Sequence, residues 1–318
     1  FMATYKEIHG VNVQYRESDA TAIEGDVWYN SSTGLLKMYS ALGSWASGGT
    51  MNTGASLITG TGSQTAGLSA GGEVGPPSTY GNSEEYNGST WTAGGNLTSA
   101  RAQLASTGSA GSQTAALCFL GRTAPAAVAL VEQYDGSSWT EIADCNTARR
   151  ESPGGSGTTT ACVAFAGGEA LAITESWNGT SWTEVADLNT GREYVADAGD
   201  SGTSALCIGG GPTVTDVVET WNGTSWTEVG DLNTARKILS GAGGTTAALA
   251  FGGGPPNVAI TEEWNGSSWA EVADLPTAKT DGAGTGTSSL ALSFGGGGPV
   301  DTTEEWSMAA AVQTVAFD

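Results

Sequence analysis

The sequence predicts an all-β protein, a propeller of six four-stranded sheets, and three observations predict it. Six times an aromatic residue is followed five or six positions later by a tryptophan: Tyr39/Trp45, Tyr86/Trp91, Tyr134/Trp139, Trp177/Trp182, Trp221/Trp226 and Trp264/Trp269, with Trp306 as a half-pair. The second tryptophans recur every 43–48 residues, a period that belongs to stacked or radially arranged supersecondary units. Within most pairs stands Asn-Gly or Asp-Gly, the strongest short hairpin signal, because both central positions of the favoured turn need positive φ.

Residues 240–275 show one unit strand by strand. Ser240, Gly241 and Ala242 open it and a Gly-Gly-Thr turn follows. Ala247, Ala248, Leu249, Ala250 and Phe251 read as a strand buried on both faces, stopped by Gly252, Gly253 and Gly254. Beyond Pro255-Pro256 a third strand spans 259–264, Asn265-Gly266-Ser267-Ser268 turn the chain, and 269–272 return as the fourth. Four antiparallel strands in such a unit make a propeller blade.

Glycine clusters ending an inner strand pair occur at Gly71-Gly72, Gly121, Gly167-Gly168, 209–211, 252–254 and 295–298, which counts six blades. Seven is the alternative if the hairpin at Trp28/Tyr29 serves as a partial blade. The last unit stops after its third strand at Trp306, so the N-terminal strand 43–47 is expected to complete it and remove an exposed edge. The expected domains are 1–42, a small β segment for docking or capping; 43–306, the propeller; and 307–318, a C-terminal tail.

The repeated residues have structural causes. Burying one aromatic ring removes about 150–250 Å² from water, roughly 4–6 kcal/mol as an upper bound, so packing alone explains the tryptophans. Two residues before each aromatic stands a glutamate: Glu84, Glu132, Glu175, Glu219, Glu262 and Glu304. A base recurs after each fourth strand, at Arg101, Arg149, Arg192, Arg236 and Lys279, where the first copy has Ala55. These are expected to pair within or between blades as structural ions, and as exposed pairs contributing about 0–1 kcal/mol each they would set register more than stability. Cys118, Cys145, Cys162 and Cys207 lack CxxC spacing and read as small buried side chains.

Composition excludes several partners. A formal charge of −22 with only 11 Lys and Arg argues against nucleic acid, whose phosphates need clustered bases. It also argues against anionic membranes. No apolar run is long enough to span a bilayer, and the N-terminus lacks the regions of a signal peptide. Asn-x-Ser/Thr triplets at Asn30, Asn87, Asn96, Asn178, Asn222 and Asn265 mostly coincide with the hairpins, so turn geometry explains them.

The glycine doublet, the downstream aromatic and the tryptophan closing a hairpin together resemble the kelch repeat family, over residues from about 40 to 306. The aromatic-to-tryptophan gap is shorter than is usual there, and Gly121 breaks one doublet. Segments such as Glu24-Gly25-Asp26-Val27-Trp28-Tyr29-Asn30, Leu188-Asn189-Thr190-Gly191-Arg192, Thr246-Ala247-Ala248-Leu249-Ala250-Phe251-Gly252-Gly253 and the opening Met2-Ala3-Thr4-Tyr5-Lys6-Glu7-Ile8 are similar to kelch-like virion proteins of tailed bacteriophages, especially marine ones. That resemblance implies a non-enzymatic component of the virion surface: a tail fibre, an appendage or a capsid decoration. It would bind a host-surface glycan or other virion proteins, the latter through the N-terminal segment, and homo-oligomerisation is compatible with it.

Copper oxidases that share the kelch architecture need histidine ligands, and His9, outside the repeats, is the only histidine. Nucleophiles activated by histidine fail for the same reason, so no catalytic residue, metal or cofactor is expected. The alternative is a propeller-fold glycosidase or lyase, for which Asp197, Asp200 and Asp281 are the acids that break the repeat. The loops between second and third strands share one face with those between blades and vary sharply in content. Recognition usually resides in such loops. Tyr80 and Arg122, which break the pattern, are the candidates for ligand contact.

Overall fold

The computed structural model describes residues 14–19, 26–75, 78–298 and 300–314. Residues 2–8, His9, Glu24, Gly25, Pro76, Pro77 and Pro299 lie outside the described residues. The chain divides into two compact units, Trp45–Trp306 and a smaller one drawn from both ends, Phe1–Ser44 with Ser307–Asp318. No α-helix occurs among the described residues. The architecture is all-β and propeller-like.

In the larger unit the first sheet is ordered Thr59–Ser63, Ala66–Ala70, Ser83–Tyr86, Trp91–Ala93, each strand antiparallel to the next. Four more sheets repeat this order, starting from Ala105–Ser106, Gly154–Thr158, Ala196–Ser201 and Ser240–Gly244. A last sheet begins with Ala283–Gly286 and Leu290–Phe294, followed by the strands Thr303–Thr314 and Leu35–Ser47. Each inner strand packs beside the next, and Ala283–Gly286 packs beside Thr59–Ser63. The inner strands are glycine-rich because a phenylalanine of the preceding repeat fills the space. A Cβ at Gly60, Gly155 or Gly284 would lie 2.6, 2.4 or 2.6 Å from the rings of Phe294, Phe119 and Phe251.

The hairpin loops span the four residues expected but differ in their backbone conformation. Tyr86 pairs directly with Trp91, and Trp264 with Trp269, leaving four-residue loops in which the glycine has positive φ and the Asn does not. Asn87 acts through its side chain: Oδ1 accepts from the main-chain N–H of Ser89 and Thr90 at 3.0 and 2.9 Å. The glycine doublet also needs correction. Its two left-handed positions are Leu120-Gly121 in the second repeat and Ala166-Gly167 in the third. The second member is always glycine, and its N–H donates to the carbonyl at the basic position of the next repeat, as in Gly72 to Arg101 (2.7 Å) and Gly253 to Lys279 (2.8 Å). Gly296 donates to Ala55 at 2.9 Å.

The second tryptophan of each pair lies against the preceding repeat. Trp91, Trp182, Trp226 and Trp45 approach Phe294, Phe119, Phe165 and Phe251 with centroids 5.0, 5.4, 4.8 and 5.0 Å apart. Trp45 also meets Trp306 at 5.4 Å, whereas Tyr39 falls in the smaller unit. Four of these indoles donate to a hydroxyl that opens the preceding repeat's third strand: Trp91 to Thr303, Trp139 to Ser83, Trp226 to Thr174 and Trp45 to Thr261. Trp182 and Trp269 have buried N–H groups without a partner among the described residues, because Val131 and Val218 occupy that position. Val131→Thr and Val218→Thr should each therefore raise stability by about 1 kcal/mol, read from the denaturant midpoint. A lower midpoint for both would refute this account of the indole.

The repeated ions are buried and join consecutive repeats. Arg101, Arg149, Arg192 and Arg236 lie 2.9–3.0 Å from Glu132, Glu175, Glu219 and Glu262, and Lys279 contacts Glu304. The expectation of exposed pairs is thus corrected, since all the members are buried. Glu262 also accepts from the N–H of Asn233 and Thr234 (2.6 and 3.3 Å) and from Asn233 Nδ2 (2.8 Å). Arg236 Nη1 donates to the carbonyls of Gly252 and Ile260, both at 2.8 Å. Burial pushes the Arg149, Arg236 and Lys279 cations below their ordinary range, and their glutamates oppose that shift. Arg236→Met should cost about 3–5 kcal/mol by stranding the Glu262 charge. Adding Glu262→Met should restore only part of this, because two main-chain N–H groups then lose their acceptor. Full recovery in chemical denaturation would contradict that role for the carboxylate.

In the smaller unit Gln14–Arg16 pairs in parallel with Val27–Asn30, which pairs antiparallel with the start of Leu35–Ser47. Trp28 is buried and its indole donates to Asp19 at 3.2 Å. Arg16 lies over the Trp28 ring and 2.6 Å from Asp26. The C-terminal residues beyond Trp306 continue a strand to Thr314, and Lys37 Nζ donates to the Thr314 hydroxyl at 2.7 Å.

Candidate functional site

The loops that lead into the inner strands share a left-handed residue. Leu57, Gln103, Tyr194, Ile238 and Asp281 have φ between 53° and 60°, and in the third repeat Glu151 and Ser152 have φ of 65° and 50°. Main-chain hydrogen bonds tie these positions together: Leu57 N–H donates to Asp281 (2.7 Å), Gln103 to Leu57 (2.9 Å), Tyr194 to Glu151 (2.7 Å) and Ile238 to Tyr194 (2.9 Å). The backbone is thus held constant at a conformation costly for non-glycine residues, while the side chain changes from repeat to repeat.

The polar members form a local network. Glu193 accepts from Ala170 N–H at 3.3 Å. Burial raises the Glu193 carboxyl above its usual range, and a hydrogen bond shared with Glu151 raises it further. Arg150 Nε lies 3.6 Å from Glu151, and Lys237 Nζ sits 5.5 Å from the Tyr194 ring centroid. Burial, followed by the nearby Glu151 and Glu193 charges, raises the Tyr194 phenol. None of this network was singled out from sequence; its only signal there is charge and aromatic content just after each repeated base.

Inward of these loops the inner strands bound a cavity of about 60 Å³, lined among others by Asp197, Asp281, Leu57 and Ile238. Asp197 occupies the position held elsewhere by Gly60, Ser106, Gly155, Gly241 and Gly284. The other ends of the inner strands bound a separate recess of about 350 Å³, lined by Asp200, Ser109, Thr246, Thr287 and neighbours. Gly108–Ala110, one turn of 3-10 helix, packs against the inner strands of the other five repeats. It exists because the second repeat's inner strand stops at Ser106, leaving Thr107 to bond inward to Thr61 Oγ1 at 3.0 Å.

The acids that break the repeat are therefore not one constellation. Asp197 and Asp281 line the smaller cavity, and burial raises both carboxyls, Asp197 to about 7 against amide hydrogen bonds that lower it. Asp200 lines the other recess and accepts from Thr245 N–H and Oγ1 at 2.9 and 3.0 Å, tying down the next repeat's turn. Arg122 is held by the buried Glu73 of the preceding repeat, an ion pair between repeats that sequence reading missed. The Tyr80 hydroxyl is buried without a hydrogen-bond partner among the described residues. Neither residue lines the two cavities.

Asp197 carries a signed pH prediction. Its folded pKa, about 7, stands above the ordinary 3.8. Between those values the folded protein keeps a proton that the unfolded chain gives up, so stability falls as pH rises through that window and levels off above it. Asp197→Asn should remove this loss, gaining on the order of 2–4 kcal/mol at pH 8 and almost nothing near pH 3.5. Equal gains at both pH values, by denaturant titration, would rule out the enclosed acid as the cause.

No known protein family matches the chain, and no curated protein matches it.

Proposed function

We propose that the chain is a non-enzymatic structural and adhesion protein of a phage virion, in a tail fibre, an appendage or a capsid decoration. Its partner is a host-surface glycan or another virion protein. The observation that carries this reading is the constancy of backbone under variation of side chain: Leu57, Gln103, Tyr194, Ile238 and Asp281 share one conformation while their side chains run from aliphatic to amide, phenol and carboxylate. A surface of that design suits recognition, because side chains can change without disturbing what holds them. Within the same reading the larger unit is a six-bladed, kelch-like propeller. Trp45 and its strand complete the last blade, a closure supported by the packing of Ala283–Gly286 beside Thr59–Ser63. The smaller unit serves as the docking element, the assembled particle is the location, and neither nucleic acid nor a membrane is the partner.

A glycosidase or lyase is the competing reading. Of the acids it would use, Asp197 and Asp281 line one cavity and Asp200 lines the other. Electron microscopy of intact particles carrying a tagged chain should place it at the virion surface in fixed copy number. A glycan array should give binding without released fragments. Particles lacking the chain, or turnover on any bound glycan, would overturn the proposal.

A further inference from the structure

The inner strands present one acidic side chain where every other repeat has glycine or serine, and that exception meets a cavity. Asp197 lines the 60 Å³ space with Asp281, Leu57, Leu104, Ile238 and Leu239. The residue is half-buried and is part of the cavity lining. Its Oδ2 lies beside Gly108 of the axial turn, where a Cβ would stand 3.0 Å from it, and the main-chain N–H groups of Gly155 and of Asp197 itself oppose the upward shift that burial causes. Among the described residues no cation acts on it; Cys162 and Cys207, whose titration it influences, are thiols that burial keeps neutral, and Asp281, a carboxyl that burial also raises, lines the same cavity. An enclosed carboxylate without a counter-ion is costly, and a small organic cation offers both the charge and the donors to relieve that cost. The apolar side chains around it would accept a short alkyl group beside the ammonium head.

We propose that this cavity is a binding site for a small primary ammonium group, with Asp197 as its counter-ion and Leu57, Leu104 and Ile238 against its carbon chain. The candidate sources are a free amine, a lysine side chain of a partner and an amino sugar, which share this chemistry. The inference does not rest on the virion reading: an enzyme or a cellular scaffold with this cavity would bind the same cation.

Methylammonium and propylammonium chloride titrated into the full chain at pH 8 provide the test, read by thermal shift and by the carbon resonance of the Asp197 carboxyl. Saturable stabilisation is expected, with sodium chloride at equal ionic strength and tetramethylammonium without effect. Affinity should rise about tenfold per pH unit from pH 5 to pH 7 and then level, as the carboxylate forms. Asp197→Asn should weaken binding at least tenfold. Ile238→Trp, which narrows the cavity while leaving the acid, should weaken propylammonium more than methylammonium. Stabilisation that does not saturate, or equal shifts in wild type and Asp197→Asn, would overturn the proposal. Once a cation is shown to bind, competition by an N-acetyl-lysine amide or by glucosamine identifies which source fits.

Discussion

Consecutive repeats of the larger unit meet at a carboxylate and a cation that are both withdrawn from water. Removing two such ions from solvent costs several kcal/mol each, and the mutual attraction offsets that only when every remaining donor and acceptor is used. Here nearly all are. Glu262 collects two main-chain N–H groups, an amide and a guanidinium, while Arg236 donates Nη1 to two carbonyls and Nε to a third, that of Thr234. The carboxylate belongs to the third strand of one repeat and the cation to the loop that precedes that repeat. Loop and sheet can therefore meet in only one register, which an apolar contact of equal strength would not enforce. Lys279 supplies charge without the planar fork, and Ala55 supplies neither, leaving Glu84 to Asn52 and Thr53.

That register decides what the backbone can do around it. Each staple sits beside the glycine whose N–H reaches the carbonyl of the same basic residue, so side-chain and main-chain ties converge at one point. Two residues further on, the chain takes up its left-handed turn and enters the inner strand. Because the loop is pinned from both sides, the left-handed residue need not be glycine. Tyrosine, glutamine and aspartate are tolerated there at a strain of order 1–3 kcal/mol each, covered by the surrounding contacts. Freedom of side chain at the loops is thus a consequence of lost freedom in the staples.

Much of this was legible because each repeat says the same thing several times. The Trp and Asn-Gly marks located the hairpins to within a residue, and the Glu and Arg frames located the ions. Depth was not legible. A glutamate two residues before a tryptophan reads as exposed, since charge is usually solvated, and only the convergence of two repeats shows otherwise. Nor could the pattern reveal that Leu120 and Ala166 take the left-handed place of a first glycine, because the constraint lies in the carbonyl they turn toward, not in their own chemistry. The Glu73–Arg122 pair escaped notice for a different reason: it occurs once, and a repeat search is blind to singular events.

The two singular events of the core depend on each other. Thr107 leaves the sheet and turns the chain across the inner strands, so Gly108 adopts a φ of 56° with Asp197 Oδ2 and Gly155 O about one van der Waals contact away. Any side chain on Gly108 would meet the carboxylate, and any path for water along the inner strands would hydrate it. That turn is one of the neighbours of the half-buried Asp197, whose carboxyl burial raises to about 7. Part of the burial that raises this carboxyl therefore comes from a segment about 90 residues away in sequence. The stapled repeats around it are what hold that segment and the acid at contact distance.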